Sequence, residues 1–330
     1  MAALEAAGLA DSVEAIAVPC TAFRFENARG RVLGHIDRSG DRAAFGHPLS
    51  MVRRADLHAA LARGAAEAGA RLRLGTRVAG LLPDGRGVVL ESGETVEADV
   101  VVGCDGLRSV IRQRWFPDAP APVDSGLVDI AGFGPPVDGV EPGVNRMVFG
   151  RRGFFGLFVT PSGESWWFHN GRPGVGTARE VALAAHADDS PWIAELVRAT
   201  PTVLGPWPLR EVTRVPTWHR GPVALLGDAA HAMSPSAGQG ASMAIEDAVV
   251  LATALLEESE VAAAFARYEA VRRGRVETIQ KEARRNSNGK AVPNRVAEWF
   301  RDLALSVFLP LGGKAQSRHY GYRVPGAEAR

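Results

Sequence analysis

The chain has 330 residues, 46% of them hydrophobic and 23% charged, so it can bury one large core or two modest ones. The formal net charge of +1 gives no electrostatic reason to expect nucleic acid or an anionic membrane as a partner. We see no run of about 18 apolar residues, no signal-peptide pattern and no metal-ligand spacing of the two cysteines, so we expect a cytoplasmic protein without a metal.

The N-terminal part alternates between a helical pattern and a strand pattern. Residues 1–14 are predicted to be helical. Residues 15–49 are predicted to contain a hairpin, because Phe23 and Phe25 alternate with polar residues and Gly30 supplies a turn. We expect this hairpin to belong to a different module from the helix.

Residues 50–122 are predicted to form one segment of mixed helix and short strands. A helix is expected from Arg54 to about Ala68, and a proline-rich stretch at 117–122 marks the end of the segment. Short strands are expected around Leu72, Val78, Val88 and Val96.

The same segment contains an apolar strand over 99–103 that leads into the turn Asp105-Gly106. Ser109 is placed to cap the helix that follows the turn. An Asp-Gly pair alone is an ordinary turn, so the function of this one depends on its context.

Residues 123–211 are rich in strand patterns and in aromatic residues, which predicts a sheet that covers a planar apolar ligand. Alternation along a strand directs only half of such side chains to one face, and core packing is the alternative explanation. The aromatic residues are Phe154, Phe155, Phe158, Trp166, Trp167 and Phe168.

Residues 212–280 contain the most informative segment. An apolar strand over 222–226 ends at Gly227 and Asp228, and ligands bind at this edge of open α/β sheets. A loop of small residues up to Gly240 allows close approach of the backbone to a flat ligand, and a long helix follows.

The tail, residues 281–330, has a basic stretch and then an apolar segment over 296–311. We interpret it as helix packing or as a subunit contact in a homodimer, without a chemical role.

The segment after residue 222 resembles the "GD" motif of the group A flavoprotein monooxygenases, the aromatic hydroxylases with the para-hydroxybenzoate hydroxylase fold. In that family the aspartate binds the ribityl chain of FAD, and the helix N-terminus faces the flavin edge that becomes anionic on reduction. The resemblance implies an α/β fold with a Rossmann-like FAD-binding domain interleaved with a β-sheet substrate domain. Residues 1–14, 50–122 and 212–280 would belong to the FAD-binding domain, and residues 15–49 and 123–211 to the substrate domain. The implied cofactor residues here are Gly227, Asp228, Gly238, Gln239, Gly240, Ala241 and Ser242.

Two further motifs agree with this resemblance. The turn at Asp105 resembles the family's "DG" fingerprint, which implies that Asp105, Arg108 and Arg112 lie at the FAD and nicotinamide site. Arg54 matches the arginine that family members place near the FAD pyrophosphate, with a solvated arginine as the alternative.

The resemblance implies that NADH or NADPH reduces FAD and that O2 then forms a flavin C4a-hydroperoxide, which hydroxylates an aromatic or polycyclic small molecule. It places Pro235 close to the flavin ring, where the alternative role is to stiffen the loop. The catalytic base is not assigned: His35, His47 and His169 are candidates, and His231 is expected to be a loop residue.

The family begins with a G-x-G-x-x-G turn in a first βαβ unit, and this sequence contains no such pattern. We therefore expect Met1 to be an internal methionine of a longer protein. Two alternatives stay open: a non-catalytic flavin-fold remnant, and a related flavin reductase.

Overall fold

The computed structural model describes residues 1–288, 290–292 and 294–325, except for the side chains of residues 288 and 310–320. The helices are α1 Ala2–Ala6, α2 Ala10–Glu14, α3 Asp41–Phe45, α4 Arg54–Glu67, α5 Val110–Trp115, α6 Ala178–Ala185, α7 Pro191–Ala199, α8 Asp228–His231, α9 Gly240–Glu257, α10 Val261–Asn288 and α11 Arg295–Tyr320. The strands are β1 Val18–Pro19, β2 Ala22–Asn27, β3 Val32–Asp37, β4 Ser50–Met51, β5 Val78–Leu81, β6 Gly87–Leu90, β7 Thr95–Glu97, β8 Val101–Gly103, β9 Val123–Gly134, β10 Val144–Phe149, β11 Gly153–Val159, β12 Ser165–Gly171, β13 Val203–Glu211, β14 His219–Arg220 and β15 Val223–Leu225.

The largest sheet in the described residues has seven strands in the order β13-β9-β12-β11-β10-β2-β3. The predicted N-terminal hairpin is confirmed as the antiparallel pair β2 and β3, and β2 joins β10 in parallel. The sheet thus combines chain from both sides of residues 50–122, which confirms an α/β fold with interleaved modules.

Helices α6 and α7 cover one face of this sheet. Thr177 and Glu180 begin α6 with a reciprocal capping box, and Pro191 occupies the first turn of α7. The core between the helices and the sheet includes Ile130, Phe155, Leu157, Trp167, Ile193, Leu196 and Val197. All of β11 is buried, as expected for a strand that is covered on both faces.

The smaller sheets belong to the other module. Strand β15 pairs in parallel with β8 and antiparallel with β14, and β5, β6 and β7 form a meander. The core packed around β15 and helices α9 and α10 includes Trp218, Val223, Leu225, Met243, Phe265, Tyr268 and Val276.

Most predicted elements in this module are present. The helix predicted from Arg54 is α4, which ends at Glu67. The strand predicted around Leu72 is wrong, because Leu72 is an exposed residue in the irregular link between α4 and β5. Leu72 and Leu74 alternate with arginines, but both leucines are exposed, so no buried face forms here to support a strand.

The tail forms α11, which packs against β3. The apolar segment predicted over 296–311 is helical, although the side chains of its last two residues lie outside the described part. None of the helices that the structure describes has an apolar stretch long enough to cross a bilayer.

A buried polar chain lies in the layer between the large sheet and the helices. His169 Nδ1 is 2.8 Å from His186 Nε2, and His186 Nδ1 is 2.6 Å from the Asp189 carboxylate. Burial lowers the pKa of His169 to about 3, and the neighbouring His186 acts in the same direction. His169 is therefore neutral in the folded protein.

This pKa predicts acid sensitivity. The unfolded chain protonates His169 below about 6.5, whereas the folded chain resists protonation down to about 3, so stability is lost as the pH falls through that window. The free energy of unfolding should fall by roughly 1 kcal/mol per pH unit from this group. His169→Asn should lose this contribution, measured by urea unfolding at a series of pH values.

The control is His58→Asn, at an exposed position of α4. An unchanged pH dependence in His169→Asn would contradict the assignment, whereas His58→Asn should leave the curve as it is in the original protein.

Candidate functional site

The predicted GD segment forms a tight turn between β15 and two helices. Gly227 has a φ of +59°, and a Cβ built on it would lie 3.0 Å from the Cβ of Ala244 in α9. Only glycine adopts this conformation readily and also allows this close approach. The turn therefore fixes α9 directly against the end of β15.

Two of the predicted site residues after the turn, Asp228 and Pro235, have exposed side chains. Asp228 is exposed, and no hydrogen bond or ion pair within the described residues engages its carboxylate. Pro235 begins a short 3-10 turn, Pro235–Ala237, and is exposed as well. At Gly238 and Gly240 no atom lies within 4 Å of the position of a Cβ, so this part of the loop surface is open.

Helix α9 begins at this open loop. Gln239 is its N-cap residue and makes no side-chain cap, and the first backbone bond is donated by Met243 N to Gln239 O. The N–H groups of Gly240, Ala241 and Ser242 have no partner within the described residues. Such groups at the positive end of a helix form a binding site for an anion.

A buried carboxylate holds the turn in place. Asp247 accepts hydrogen bonds from Gly227 N at 3.2 Å, His231 Nε2 at 2.5 Å and Arg272 Nε at 2.7 Å. Burial alone would raise the pKa of Asp247, but the bond from His231 and the charge of Arg272 lower it. His231, expected to be a loop residue, is thus a buried part of α8.

The neighbouring carboxylate extends this cluster. Glu246 pairs with Arg272 at 2.6 Å and receives two bonds of 2.8 Å from Arg275. Sequence analysis did not assign a role to any of these residues. The acidic pair in α9 and the arginines three residues apart in α10 are the signal that could have indicated it.

The DG turn is bound to its own helix. The predicted cap is confirmed, since Ser109 Oγ accepts a bond from Arg112 N at 2.8 Å. Asp105 also caps this helix, accepting bonds from Val110 N at 2.7 Å and Ile111 N at 3.1 Å. Arg108 is exposed.

Arg112 connects the two motifs. Its guanidinium is buried and donates to the carbonyl of Ala229 in α8 at 2.7 Å and to that of Leu107 at 2.6 Å. The structure thus brings the DG and GD segments together through Arg112, and directs its guanidinium at backbone rather than at the open loop.

Arg54 is exposed at the first position of α4. Its neighbour Arg53, which sequence analysis did not consider, reaches the large sheet. Its guanidinium lies 4.7 Å from the Phe133 ring centre and 5.5 Å from that of Trp166, and it pairs with Glu164. These contacts join the helical module to the sheet.

The face of the large sheet opposite α6 and α7 bears a cavity of about 110 Å³. Two of the predicted aromatic residues, Phe155 and Trp167, have their rings stacked in the core under α6 and α7. The cavity is lined by Met51, Ala131, Gly132, Phe133, Asn145, Gly156, Leu157, Phe158, Trp166, Trp167 and Phe168. Its wall is almost wholly apolar, which suits a planar apolar ligand.

None of the candidate histidines lines this cavity. His35 is exposed on β3, and His47 lies 3.1 Å from Glu14. His169 lies on the face that α6 and α7 cover. The catalytic base therefore stays unassigned among these three.

The end of α10 joins the open loop to the sheet. Ser287 Oγ lies 2.8 Å from the hydroxyls of Ser234 and Ser236, on either side of Pro235. Three residues later, Lys290 Nζ lies 5.0 Å from the Phe154 ring centre. The open loop and the aromatic face therefore meet at this segment.

Comparisons with known proteins agree on one family. A family model described as an FAD binding domain matches residues 1–283. Aurachin C monooxygenase/isomerase of Stigmatella aurantiaca is 33% identical over 254 residues, which cover 74% of this chain and 66% of that protein. 6-Hydroxynicotinate 3-monooxygenase of Bordetella bronchiseptica is 34% identical over 215 residues, covering 59% and 54%. The chain thus spans less than two thirds of the length of these two relatives.

Solved structures share the fold. HpxO of Klebsiella pneumoniae, in complex with FAD and uric acid, has a TM-score of 0.85 at 23% identity and covers 97% of this chain and 85% of that one. A salicylate hydroxylase substrate complex has a TM-score of 0.80 at 23% identity, covering 98% and 87%.

Asp247 provides a stability prediction. Asp247→Ala should lower the free energy of unfolding by roughly 3–5 kcal/mol, because it removes one of the two carboxylate partners of the buried Arg272 guanidinium. The measurement is equilibrium unfolding in urea. Glu257→Ala, which breaks a more exposed pair with Arg267, is the control and should cost less than about 1 kcal/mol. Equal losses in the two variants would refute this role.

Proposed function

The chain belongs to the FAD binding domain family, and from that membership we propose that it is an FAD-dependent monooxygenase. In this proposal it uses NADH or NADPH and O2 to hydroxylate an aromatic or polycyclic small molecule. The observation that carries the proposal is the open, uncapped start of α9, together with an apolar aromatic cavity on the large sheet.

The residues present fit FAD. The N–H groups of Gly240, Ala241 and Ser242 offer donors at a helix N-terminus, where the anionic edge of a reduced flavin would be stabilised. The unengaged carboxylate of Asp228 offers an acceptor for a ribityl hydroxyl. The glycines of the loop leave space for a flat ring to approach the backbone.

The other predicted cofactor residues take supporting roles in this proposal. Asp105 shapes the DG turn, Arg112 holds it against α8, and the exposed Arg54 and Arg108 offer positive charge to a diphosphate or to the nicotinamide donor. Pro235 stiffens the loop at the start of its 3-10 turn, close to the proposed ring site. When bound, FAD supplies the electron transfer from the nicotinamide donor and the reaction with O2.

The cavity on the sheet would bind the substrate. Its aromatic wall excludes water and holds a planar ring by stacking and apolar contact. The names of the two relatives given above indicate an aurachin and 6-hydroxynicotinate as their substrates. These names support an aromatic substrate for this chain and do not identify it.

The two alternatives have less support. The named relatives are monooxygenases, which does not favour a non-catalytic remnant or a flavin reductase. A cytoplasmic location stays a proposal, supported by two unpaired cysteines. A homodimer also stays a proposal, supported by exposed apolar side chains of α11: Val296, Trp299, Phe300, Leu303, Val307 and Phe308.

The function is tested with protein expressed from its complete open reading frame. The purified protein should contain FAD, and it should oxidise NADH or NADPH faster when a phenol or polycyclic aromatic substrate is added. The product should contain one oxygen atom from labelled O2, measured by mass spectrometry. Bound FAD without substrate-dependent oxidation across a broad panel of such compounds would refute the proposal.

The role of Asp228 provides a second test. Asp228→Ala should weaken FAD binding roughly 10-fold or more, because a hydrogen bond to a charged group contributes about 1.5–3 kcal/mol. The dissociation constant is measured by flavin fluorescence after removal of the cofactor. Asp138→Ala, at an exposed loop position, is the control. Equal affinity in the two variants would remove Asp228 from the site.

A further inference from the structure

The face of the sheet that bears the aromatic cavity also carries polar residues beyond the cavity lining. In the strand register, Asp129 of β9 lies opposite Asn170 of β12, and Asn170 lies opposite Phe154 of β11. Asp129 precedes the cavity residue Ala131 by two positions, or about 7 Å along β9, and lies on the same face. A carboxylate and an amide therefore lie next to the cavity on the same face of the sheet, and we call this pair the polar end.

Lys290 covers this polar end. Its side chain is largely buried, with only 6% of the residue exposed, and its ammonium lies over the Phe154 ring. No ion pair within 4 Å joins it to Asp129 among the described residues, although the two charges influence each other. A buried ammonium and a partly buried carboxylate thus lie close enough to affect each other's pKa without forming an ion pair.

The side-chain amide of Asn170 has no close hydrogen-bond partner. The residue is 1% exposed, and neither its Oδ1 nor its Nδ2 makes a hydrogen bond of ordinary geometry within the described residues, although the amide is close enough to Asp129 to lower the pKa of that carboxyl. Buried polar groups normally have partners, and an exception indicates a functional site or a ligand. The polar end therefore offers unfilled hydrogen bonds as well as charge.

The protonation states suit proton transfer. Burial raises the pKa of Asp129 to about 6, with the charge of Lys290 opposing the shift. Burial lowers the pKa of Lys290 to about 8, opposed in turn by Asp129. His169, the other titratable group that senses Lys290, is on the opposite face and stays neutral. Near neutral pH the site thus holds a carboxylate able to accept a proton beside an ammonium.

We propose that Asp129 is the base that deprotonates a ring hydroxyl of the substrate, and that Lys290 and Asn170 bind the resulting oxyanion. This inference rests on the proposed function and identifies the substrate as a hydroxylated aromatic ring. It assigns the base that none of the candidate histidines supplies.

The step moves one proton. The hydroxyl hydrogen passes to a carboxylate oxygen of Asp129, and the electron pair of the broken O–H bond stays on the substrate oxygen. The ammonium of Lys290 and the amide N–H of Asn170 then donate hydrogen bonds to that oxygen. The ionised oxygen releases electron density into the ring, which makes the ring carbons more nucleophilic toward an oxygen donor.

The test uses 4-nitrophenol, whose ionised form absorbs visible light, with the FAD-loaded protein at a pH below the pKa of the free probe. The bound probe should be ionised in the original protein, measured as a difference spectrum. Lys290→Met should bind it in the neutral form and roughly 10-fold more weakly, because a charged hydrogen bond is lost. Lys290→Arg should keep the ionised form, and the control Lys281→Met, at an exposed position of α10, should match the original protein.

Turnover provides the matching test of Asp129. With a phenolic substrate, kcat/KM should rise as the pH increases through about 6, because Asp129 must lose its proton to act as a base. Asp129→Asn should lose this rise and at least about 10-fold of kcat/KM, and Asp138→Asn should change neither. Thermal unfolding of each variant identifies any that does not fold. If Asp129→Asn does not fold, the probe spectra of the two Lys290 variants test the proposal.

The outcomes separate the two proposals. A probe that does not bind, that binds in the neutral form, or that binds in the same ionised form to Lys290→Met overturns this inference. If the protein hydroxylates its substrate and the Lys290 and Asp129 variants behave like the original protein, this inference is overturned. The proposed monooxygenase function is then retained. Ionised probe without any hydroxylation would support the binding site and overturn the proposed function.

Discussion

The candidate site depends on the hydrogen bonds that the buried Asp247 carboxylate accepts, because they hold its turn and helices in place. A fully buried carboxylate is costly unless donors surround it, and here the donors come from the turn at Gly227, from α8 and from α10. These donors are distant along the chain, and they converge on one carboxylate. Their hydrogen bonds therefore hold the turn, α8 and the start of α9 together as a unit. That rigidity keeps the donors of the open loop pointing outward.

The segment after α10 has a comparable effect on the second half of the site. Ser287 contacts the serines on both sides of Pro235, and Lys290 extends from the same segment over Phe154 of the sheet. One short stretch of chain therefore sets the distance between the loop that would bind a flavin ring and the surface that would bind a substrate. Arg53, stacked on Phe133 and Trp166, provides a second connection between the modules.

Local patterns were sufficient to predict much of the fold. The strand, loop and helix of the GD segment, the capped DG turn and the helix at Arg54 each depend on neighbouring residues, and each is present. The Arg112 bond to Ala229, the Asp247 cluster and the placement of Lys290 were not predicted. The Arg112 bond spans 117 residues, and nothing near Arg112 in the sequence indicates that its side chain turns inward.

The large sheet also shows why residue type alone could not identify the base. His169 and Asn170 are adjacent in β12, but strand alternation directs them to opposite faces. Histidine is the residue that sequence reasoning prefers as a base, yet here it lies in a dry layer where burial keeps it neutral. Asp129 is on the cavity face, where the charge of Lys290 limits the effect of burial and leaves a carboxylate that can still ionise. The layer in which a titratable group lies, rather than its ordinary pKa, decides which group can do chemistry on a bound ring.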